Sequence, residues 1–118
     1  MVHITLKGEP KSTNNCYGVM CRGRFPNRYM TTGGKKIKSS YIEQLHKQWG
    51  LGVSDKPFSL DIKIYFGTKR KQDIDNFNKL LFDSMTGIVW VDDSQIYKVA
   101  IEKFYDKENP RIEVAVDN

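Results

Sequence analysis

The sequence predicts a single α+β domain over residues 1–118, with a small mixed or antiparallel sheet of four strands and two helices. Four segments alternate apolar and polar residues, as half-buried strands do, and two segments repeat apolar residues at helical spacing. The length falls within the ~100–200 residues usual for one domain and allows a core without disulfides. We find neither internal repeats nor a linker.

The four predicted strands all follow a period of two. Residues 2–6 form the first strand, and residues 60–66 give the strongest alternation. Residues 97–105 and 111–116 alternate again. Because the segment DKENP between them has turn chemistry, we predict that these last two strands pair as an antiparallel hairpin.

Two segments have the apolar spacing of amphipathic helices. The first is SSYIEQLHKQWG, in which Gly50 provides a C-terminal stop and the apolar positions are Tyr41, Ile42, Leu45 and Trp49. The second covers residues 74–85 and ends at Gly87. Its apolar stripe consists of Ile74, Phe77, Leu81 and Met85.

Residues 10–33 are rich in Gly, Asn, Pro and Ser, so we predict a long loop or a ragged hairpin there. Loops of this length are more often functional than not. The N-terminus lacks the apolar core of a signal peptide, and no apolar run approaches the ~18 residues of a membrane span. We therefore expect a soluble, cytoplasmic protein that does not bind a membrane.

The Cys and His residues do not predict a zinc site. Cys16 and Cys21 have no second cysteine pair, and His3 and His46 lie far from them in the sequence. Because a zinc site normally needs four closely placed ligands, we interpret the cysteines as ordinary reduced thiols.

Charge is distributed unevenly along the chain, whose net charge is +5. Residues 1–72 hold fourteen Lys or Arg against four acidic residues, whereas residues 73–118 hold five against ten. From Pro10 to Ile42 there is no acidic residue, and aromatic side chains lie among the basic ones. This pattern suits a polyanion whose bases can stack, such as DNA. The candidate DNA-binding residues are Arg22, Arg24, Arg28, Lys35, Lys36, Lys38, Lys69, Arg70 and Lys71.

Two acidic pairs carry the candidate chemistry. Asp73 and Asp75 open the second helix, where one aspartate could serve simply as an N-cap. Asp75, Lys79 and Asp83 form one line along that helix, which could be an exposed face joined by ion pairs of ~0.2–0.5 kcal/mol.

Asp92 and Asp93 form the second pair, directly after the apolar run IVWV. If the fold brings this corner to the start of the helix, three or four carboxylates converge, and a cation must neutralise them. Carboxylate oxygens favour Mg²⁺ or Mn²⁺, and an acidic metal site beside a basic surface indicates metal-assisted hydrolysis of a phosphodiester.

The segment DIDNFNKLLFDSMTGIVWVDDSQI resembles the RusA family of Holliday-junction resolvases. Members share a D-x-D-N-x-x-K-x-x-x-D-x-[LM] helix, followed about ten residues later by a W-x-D-D-x-Q corner. The residues that match are Asp73, Asp75, Asn76, Lys79, Asp83, Asp92, Asp93 and Gln95. The resemblance covers the C-terminal half, and the N-terminal half matches only loosely.

This resemblance implies a phage-like crossover junction endodeoxyribonuclease that nicks a four-way junction symmetrically during DNA recombination and repair. It implies that Asp73, Asp75 and Asp93 bind Mg²⁺, with Mn²⁺ as a substitute, and that Lys79 is the catalytic lysine. It also implies a homodimer. An exposed strand edge or the region of Trp90 could supply the dimer contact.

Three other functions compete with that of a resolvase. A non-catalytic basic nucleic-acid-binding domain would use the aspartates only for capping and solvation. A nuclease centred on Asp61 and Lys63 has half of a D/E-x-K pair but no second acid at the usual upstream spacing. A purely structural component does not account for the two acidic pairs.

Overall fold

The computed structural model describes residues 1–12, 17–22, 25–69 and 74–117, with the side chains of 17–22, 25–28, 75 and 76 left out. The strands are β1 (Val2–Lys7), β2 (Tyr17–Arg22), β3 (Phe25–Met30), β4 (Phe58–Phe66), β5 (Ile96–Tyr105) and β6 (Arg111–Asp117). The helices are α1 (Thr32–Gln48) and α2 (Asn78–Met85), and 3₁₀ turns cover Ile74–Phe77 and Asp93–Gln95. None of the helices in these described ranges is long and apolar enough to cross a membrane.

The main sheet is mixed and has the strand order β1-β6-β4-β5, which confirms the predicted α+β class and the four strands. Strand β6 runs antiparallel to both β1 and β4, whereas β5 runs parallel to β4. Helix α2 lies in the connection between the parallel strands, as such a connection requires. Strands β2 and β3 form a separate antiparallel ladder, so the segment predicted as a loop or ragged hairpin contains a hairpin.

The predicted hairpin of β5 with β6 is wrong, because β4 lies between these two strands. The segment DKENP does turn the chain. Asp106 Oδ1 accepts hydrogen bonds from the N–H groups of Glu108 and Asn109, each at 3.2 Å. The turn nevertheless carries β6 past β4 to its far side, where β6 pairs with β4 and β1. The residues of this segment therefore predict that the chain turns, but they do not predict which strands β6 pairs with.

Helix α2 runs back along β4, from the last residue of that strand towards its first. The ring of Phe77 contacts that of Phe66 at 5.0 Å between centroids. Beyond the other end of α2, Trp90 contacts Phe58 at 5.8 Å and Phe82 at 6.2 Å. We call the two ends of the sheet the Phe66 end and the Phe58 end.

Helix α1 begins seven residues before the predicted segment, at Thr32, where Thr31 Oγ1 accepts the N–H of Gly34 at 3.0 Å. Its C-terminal half packs along β1. Gln48 bonds to Thr5, and Gln44 bonds to Lys7, which pairs with Arg111 at the Phe66 end. The N-terminal half of α1 therefore extends beyond the Phe66 end of the sheet.

Candidate functional site

The start of the second predicted helix is a 3₁₀ turn rather than α-helix. Asp75 lies in this turn, Ile74–Phe77, and Asp73 lies outside the described residues. The α-helical part begins at Asn78, and its N-cap, Phe77, makes no side-chain capping bond. The capping alternative for Asp73 therefore concerns the 3₁₀ turn and not α2 itself. The aromatic contact of Phe77 with Phe66 fixes the turn at the Phe66 end.

Lys79 and Asp83 form the ion pair that their spacing predicts. Lys79 Nζ donates to Asp83 Oδ2 at 3.1 Å, and both side chains remain partly exposed. The side chain of Lys79 is thus held on the surface of α2, one turn after the 3₁₀ turn that contains Asp75. The structure thus places the charge of Lys79 next to Asp83 on the exposed surface of α2.

Gln95 holds the corner that contains Asp92 and Asp93. Its Oε1 accepts the N–H groups of Val91 at 2.9 Å and Asp92 at 3.0 Å. Its Nε2 donates to the carbonyl oxygens of Ser54 and Lys56, both at 2.8 Å. The motif includes Gln95 without indicating its role, and the structure makes it the residue that positions the corner.

The two aspartates of this corner differ in their surroundings. Asp92 Oδ2 accepts a short hydrogen bond, 2.6 Å, from Ser94 Oγ. Asp93 is exposed at the first position of the 3₁₀ turn Asp93–Gln95. Asp92 is exposed as well, so the two aspartates differ in this hydrogen bond and not in their exposure.

A single chain does not bring the corner to the helix start. The corner binds the segment that leads into β4 and so lies at the Phe58 end, whereas the 3₁₀ turn with Asp75 lies at the Phe66 end. The nine residues of β4 separate the two by on the order of 25 Å, at ~3.3 Å per residue. Within the described ranges, no three His, Cys, Asp or Glu side chains lie close enough together to hold a metal ion. Asp93 of one chain therefore lies far from the described turn that contains Asp75.

The candidate DNA-binding residues that the structure describes lie partly at the Phe66 end. Lys35 and Lys36 are exposed in the first turns of α1, followed by half-buried Lys38. Lys69 lies over the ring of Tyr105, with Nζ 5.0 Å from its centroid. The backbone of Arg22 lies in β2 and that of Arg28 in β3, while Arg24, Arg70 and Lys71 lie outside the described residues.

The rival centre at Asp61 and Lys63 lies on the sheet face opposite the helices. Both side chains are exposed there, and Lys63 pairs across the sheet with Glu113 on one side and Glu102 on the other. A lysine between two glutamates is a satisfied surface charge. This arrangement supports a structural interpretation of the pair.

Sequence comparisons place the chain among endodeoxyribonucleases. Residues 7–117 match the family described as Endodeoxyribonuclease RusA. The chain is 30% identical to the uncharacterized protein YqaN of Bacillus subtilis (strain 168), over 98% of this chain and 94% of that protein. It is 28% identical to the crossover junction endodeoxyribonuclease rusA of Enterobacteria phage 82, over 97% of this chain and 92% of that protein.

Proposed function

The chain belongs to the RusA family of endodeoxyribonucleases, and from that premise we propose that it resolves four-way DNA junctions. The observation that carries the proposal is the family match, which extends over residues 7–117 and so includes both acidic pairs and the basic segment. The similarity to a phage crossover junction endodeoxyribonuclease over nearly the whole of both chains supports the same substrate.

The proposed reaction is Mg²⁺-dependent hydrolysis of one phosphodiester in each of two strands, by paired symmetric nicks, during DNA recombination and repair. Mn²⁺ is expected to replace Mg²⁺. Asp73, Asp75 and Asp93 are the proposed ligands, since carboxylate oxygens are the donors that these ions prefer. A divalent ion in such a site polarises the phosphoryl group and makes bound water more acidic.

Lys79 is the proposed catalytic lysine. Its contact with Asp83 restrains a flexible side chain on the face of α2 that follows the 3₁₀ turn of Asp75. A positioned cation stabilises the charge that develops on the phosphate during attack more strongly than a mobile cation does.

The basic residues at the Phe66 end support a DNA-binding role beside the helix start. Exposed Lys35 and Lys36 lie there with Lys69, so phosphates bound by them would run close to Asp75. Contacts of this kind release counterions, and binding should therefore weaken steeply between low and physiological salt. Four-way junctions should bind more tightly than duplex, because a dimer engages several arms at once.

The test is to incubate the protein with a synthetic four-way junction and with linear duplex of the same sequence, each with and without Mg²⁺. We expect paired nicks in the junction that require the metal. Asp73→Asn, Asp75→Asn and Asp93→Asn should each remove cleavage while junction binding persists. Salt-sensitive binding with equal affinity for both substrates and no cleavage would instead indicate a non-catalytic nucleic-acid-binding domain.

A further inference from the structure

We propose that Lys103 is a second phosphate-binding lysine of the cleavage site, beside the 3₁₀ turn Ile74–Phe77. This inference rests on the proposed function and deepens it, because it assigns a contact with the strand to be cut to a residue outside both the acidic pairs and the basic segment. Lys103 lies on β5, after both acidic pairs in the chain.

Lys103 occupies a position at which the main sheet otherwise carries apolar side chains. It pairs with buried Ile64 of β4, so its side chain stands on the face of the sheet that bears the helices. All four strands of this sheet lie within the described ranges, and Lys103 is the one charged residue that they place on that face. A charge on an apolar face costs free energy unless it meets water or an opposite charge. Packing alone therefore does not explain a lysine at this position.

The 3₁₀ turn Ile74–Phe77 contacts β5 close to Lys103. The contact lies at the C-terminal end of β5, because Phe77 meets Phe66 at 5.0 Å between ring centroids and Phe66 pairs with Tyr105. Lys103 precedes Tyr105 by two residues on the same face, which is ~7 Å along the strand. The lysine side chain is exposed, so its stem can lie along the apolar face while its ammonium reaches the solvent beside the turn.

Two further lysines lie near the same turn. Lys79 is the second residue of α2 and follows the turn directly, and Lys69 places its Nζ 5.0 Å from the ring centroid of Tyr105. A phosphate that approaches the carboxylates proposed at this turn is repelled by them, and nearby cations offset that repulsion. Lys103 supplies such a cation from the strand beside the turn, whereas Lys79 supplies one from the helix that follows it. The phosphate of the cut strand is therefore the anion that we assign to Lys103.

Protection of the sheet edge is the alternative role for this lysine. Within the described ranges β5 pairs with β4 alone, and an inward-facing lysine on an edge strand can prevent unwanted strand pairing. The two roles differ in the sign of charge that they need. Any charge protects an edge, whereas only a positive charge binds a phosphate. Lys103→Gln, Lys103→Glu and Lys103→Arg therefore separate them.

The salt dependence of junction binding tests the phosphate contact, measured without metal so that no cleavage occurs. In Lys103→Gln the slope of log affinity against log salt should become shallower by about one for each site that holds DNA, because one phosphate contact is lost. Lys103→Arg should retain the wild-type slope. Lys98→Gln is the matched control, since Lys98 lies on the same strand and pairs with Ser59, on the opposite face, and loses the same charge.

Disulfide trapping locates the phosphate. In a Cys16→Ser, Cys21→Ser background, Lys103→Cys is mixed with synthetic junctions that each carry a thiol tether on one chosen phosphate. We expect the strongest crosslink at the phosphate that wild-type protein cuts or at its immediate neighbour, and we expect Lys79→Cys to select the same position. Lys98→Cys should crosslink no position above background, because its side chain lies on the other face of the sheet.

Cleavage by excess enzyme, with every junction bound, tests whether the contact persists during the reaction. Lys103→Gln should lower this rate by roughly 10²-fold, because the attacked phosphate gains negative charge and loses a positioned cation. Lys103→Arg should recover most of the rate, and Lys98→Gln should cut as fast as the wild type. If Lys103 only protects the edge, Lys103→Gln should instead associate further in light scattering and keep the wild-type slope, while Lys103→Glu behaves as the wild type.

The outcomes separate this inference from the proposed function. A wild type that cuts no junction, with the expected slope change and crosslinks at Lys103, supports the phosphate contact and contradicts the junction-resolving function. Junction cleavage by the wild type contradicts the phosphate contact alone if the Lys103 variants match the Lys98 variants in slope and crosslinks. A wild type that binds no DNA contradicts both.

Discussion

The side-chain amide of Gln48 forms two hydrogen bonds with the backbone of Thr5, donating to its carbonyl oxygen at 2.7 Å and accepting its N–H at 2.8 Å. Gln44 does the same with Lys7, at 3.2 and 2.7 Å. The two glutamines lie one turn apart on α1, and each takes the place of a residue of a neighbouring strand. The same hydrogen bonds thus hold helix α1 on the sheet and occupy backbone groups of Thr5 and Lys7 at the β1 edge.

Replacing both glutamines, Gln44→Ala with Gln48→Ala, should lower the free energy of unfolding by about 1–3 kcal/mol, because four hydrogen bonds to partly solvated backbone groups are lost. The uncovered edge should also cause concentration-dependent association. Urea denaturation and light scattering measure the two effects. Glu43→Ala is the control, since its ion pair with Lys47 is highly exposed and should contribute little. A double variant as stable and as monodisperse as that control would contradict the edge-closing role.

Alternation along the chain predicted the four strands of the main sheet to within two residues at each end, because apolar and polar residues alternate in a half-buried strand. This alternation does not show which strand pairs with which. The partner of β5 depends on where α2 returns the chain, and α2 delivers β5 beside β4. The apolar pattern does not predict the early start of α1, because the first turns of that helix hold Gly33, Gly34 and lysines rather than an apolar stripe.

In the candidate site, too, the sequence predicts contacts between residues that are close along the chain but not distances that depend on the fold. The spacing of Lys79 and Asp83 predicted their contact, because four residues make one helical turn. The distance between Asp93 and the helix start depends on the direction of α2 along β4, which no motif specifies. The role of Gln95 depends on contacts with Ser54 and Lys56, about forty residues earlier in the chain.

Gln95→Ala should loosen the corner and impair cleavage more than junction binding, because the four hydrogen bonds that hold the corner containing Asp93 are removed together. We expect a loss of about 1–3 kcal/mol in stability and faster hydrogen exchange at the amides of Val91 and Asp92. Gln95→Glu should not rescue either effect, since a carboxylate would face the carbonyl oxygens of Ser54 and Lys56. Ser94→Ala, which removes only the hydroxyl contact to Asp92, is the control. Unchanged amide exchange in Gln95→Ala would contradict the positioning role.

Ionised Asp106 should stabilise the folded protein, so that stability decreases at acidic pH. The hydrogen bond from Arg111 Nη1, at 2.7 Å, holds the pKa of Asp106 below its usual 3.8, and the N–H groups of Asn109 and Glu108 act in the same direction. A carboxylate whose pKa is lowered by folding stabilises the native state above the unfolded pKa, and this contribution is lost as the pH falls through the native pKa. The melting temperature of the wild type should therefore exceed that of Asp106→Asn at pH 7, and the two should converge below about pH 4. Melting curves between pH 7 and pH 2 measure this, with exposed Asp55→Asn as control. A constant difference at all pH values would contradict the assignment.

Lys79 and Asp83 share one ion pair, so replacing each in turn separates the stability of that pair from the chemistry proposed for Lys79. If Lys79 stabilises the phosphate during attack, Lys79→Ala should reduce junction cleavage by roughly 10²–10³-fold, the loss typical for one positioned stabilising group. Mn²⁺ binding should be retained, because the lysine is not a ligand. Asp83→Ala removes the same ion pair and should cost only ~0.3–0.5 kcal/mol in urea denaturation, with cleavage reduced severalfold at most through a less restrained lysine. Equal cleavage by the two variants would assign Lys79 to the ion pair alone.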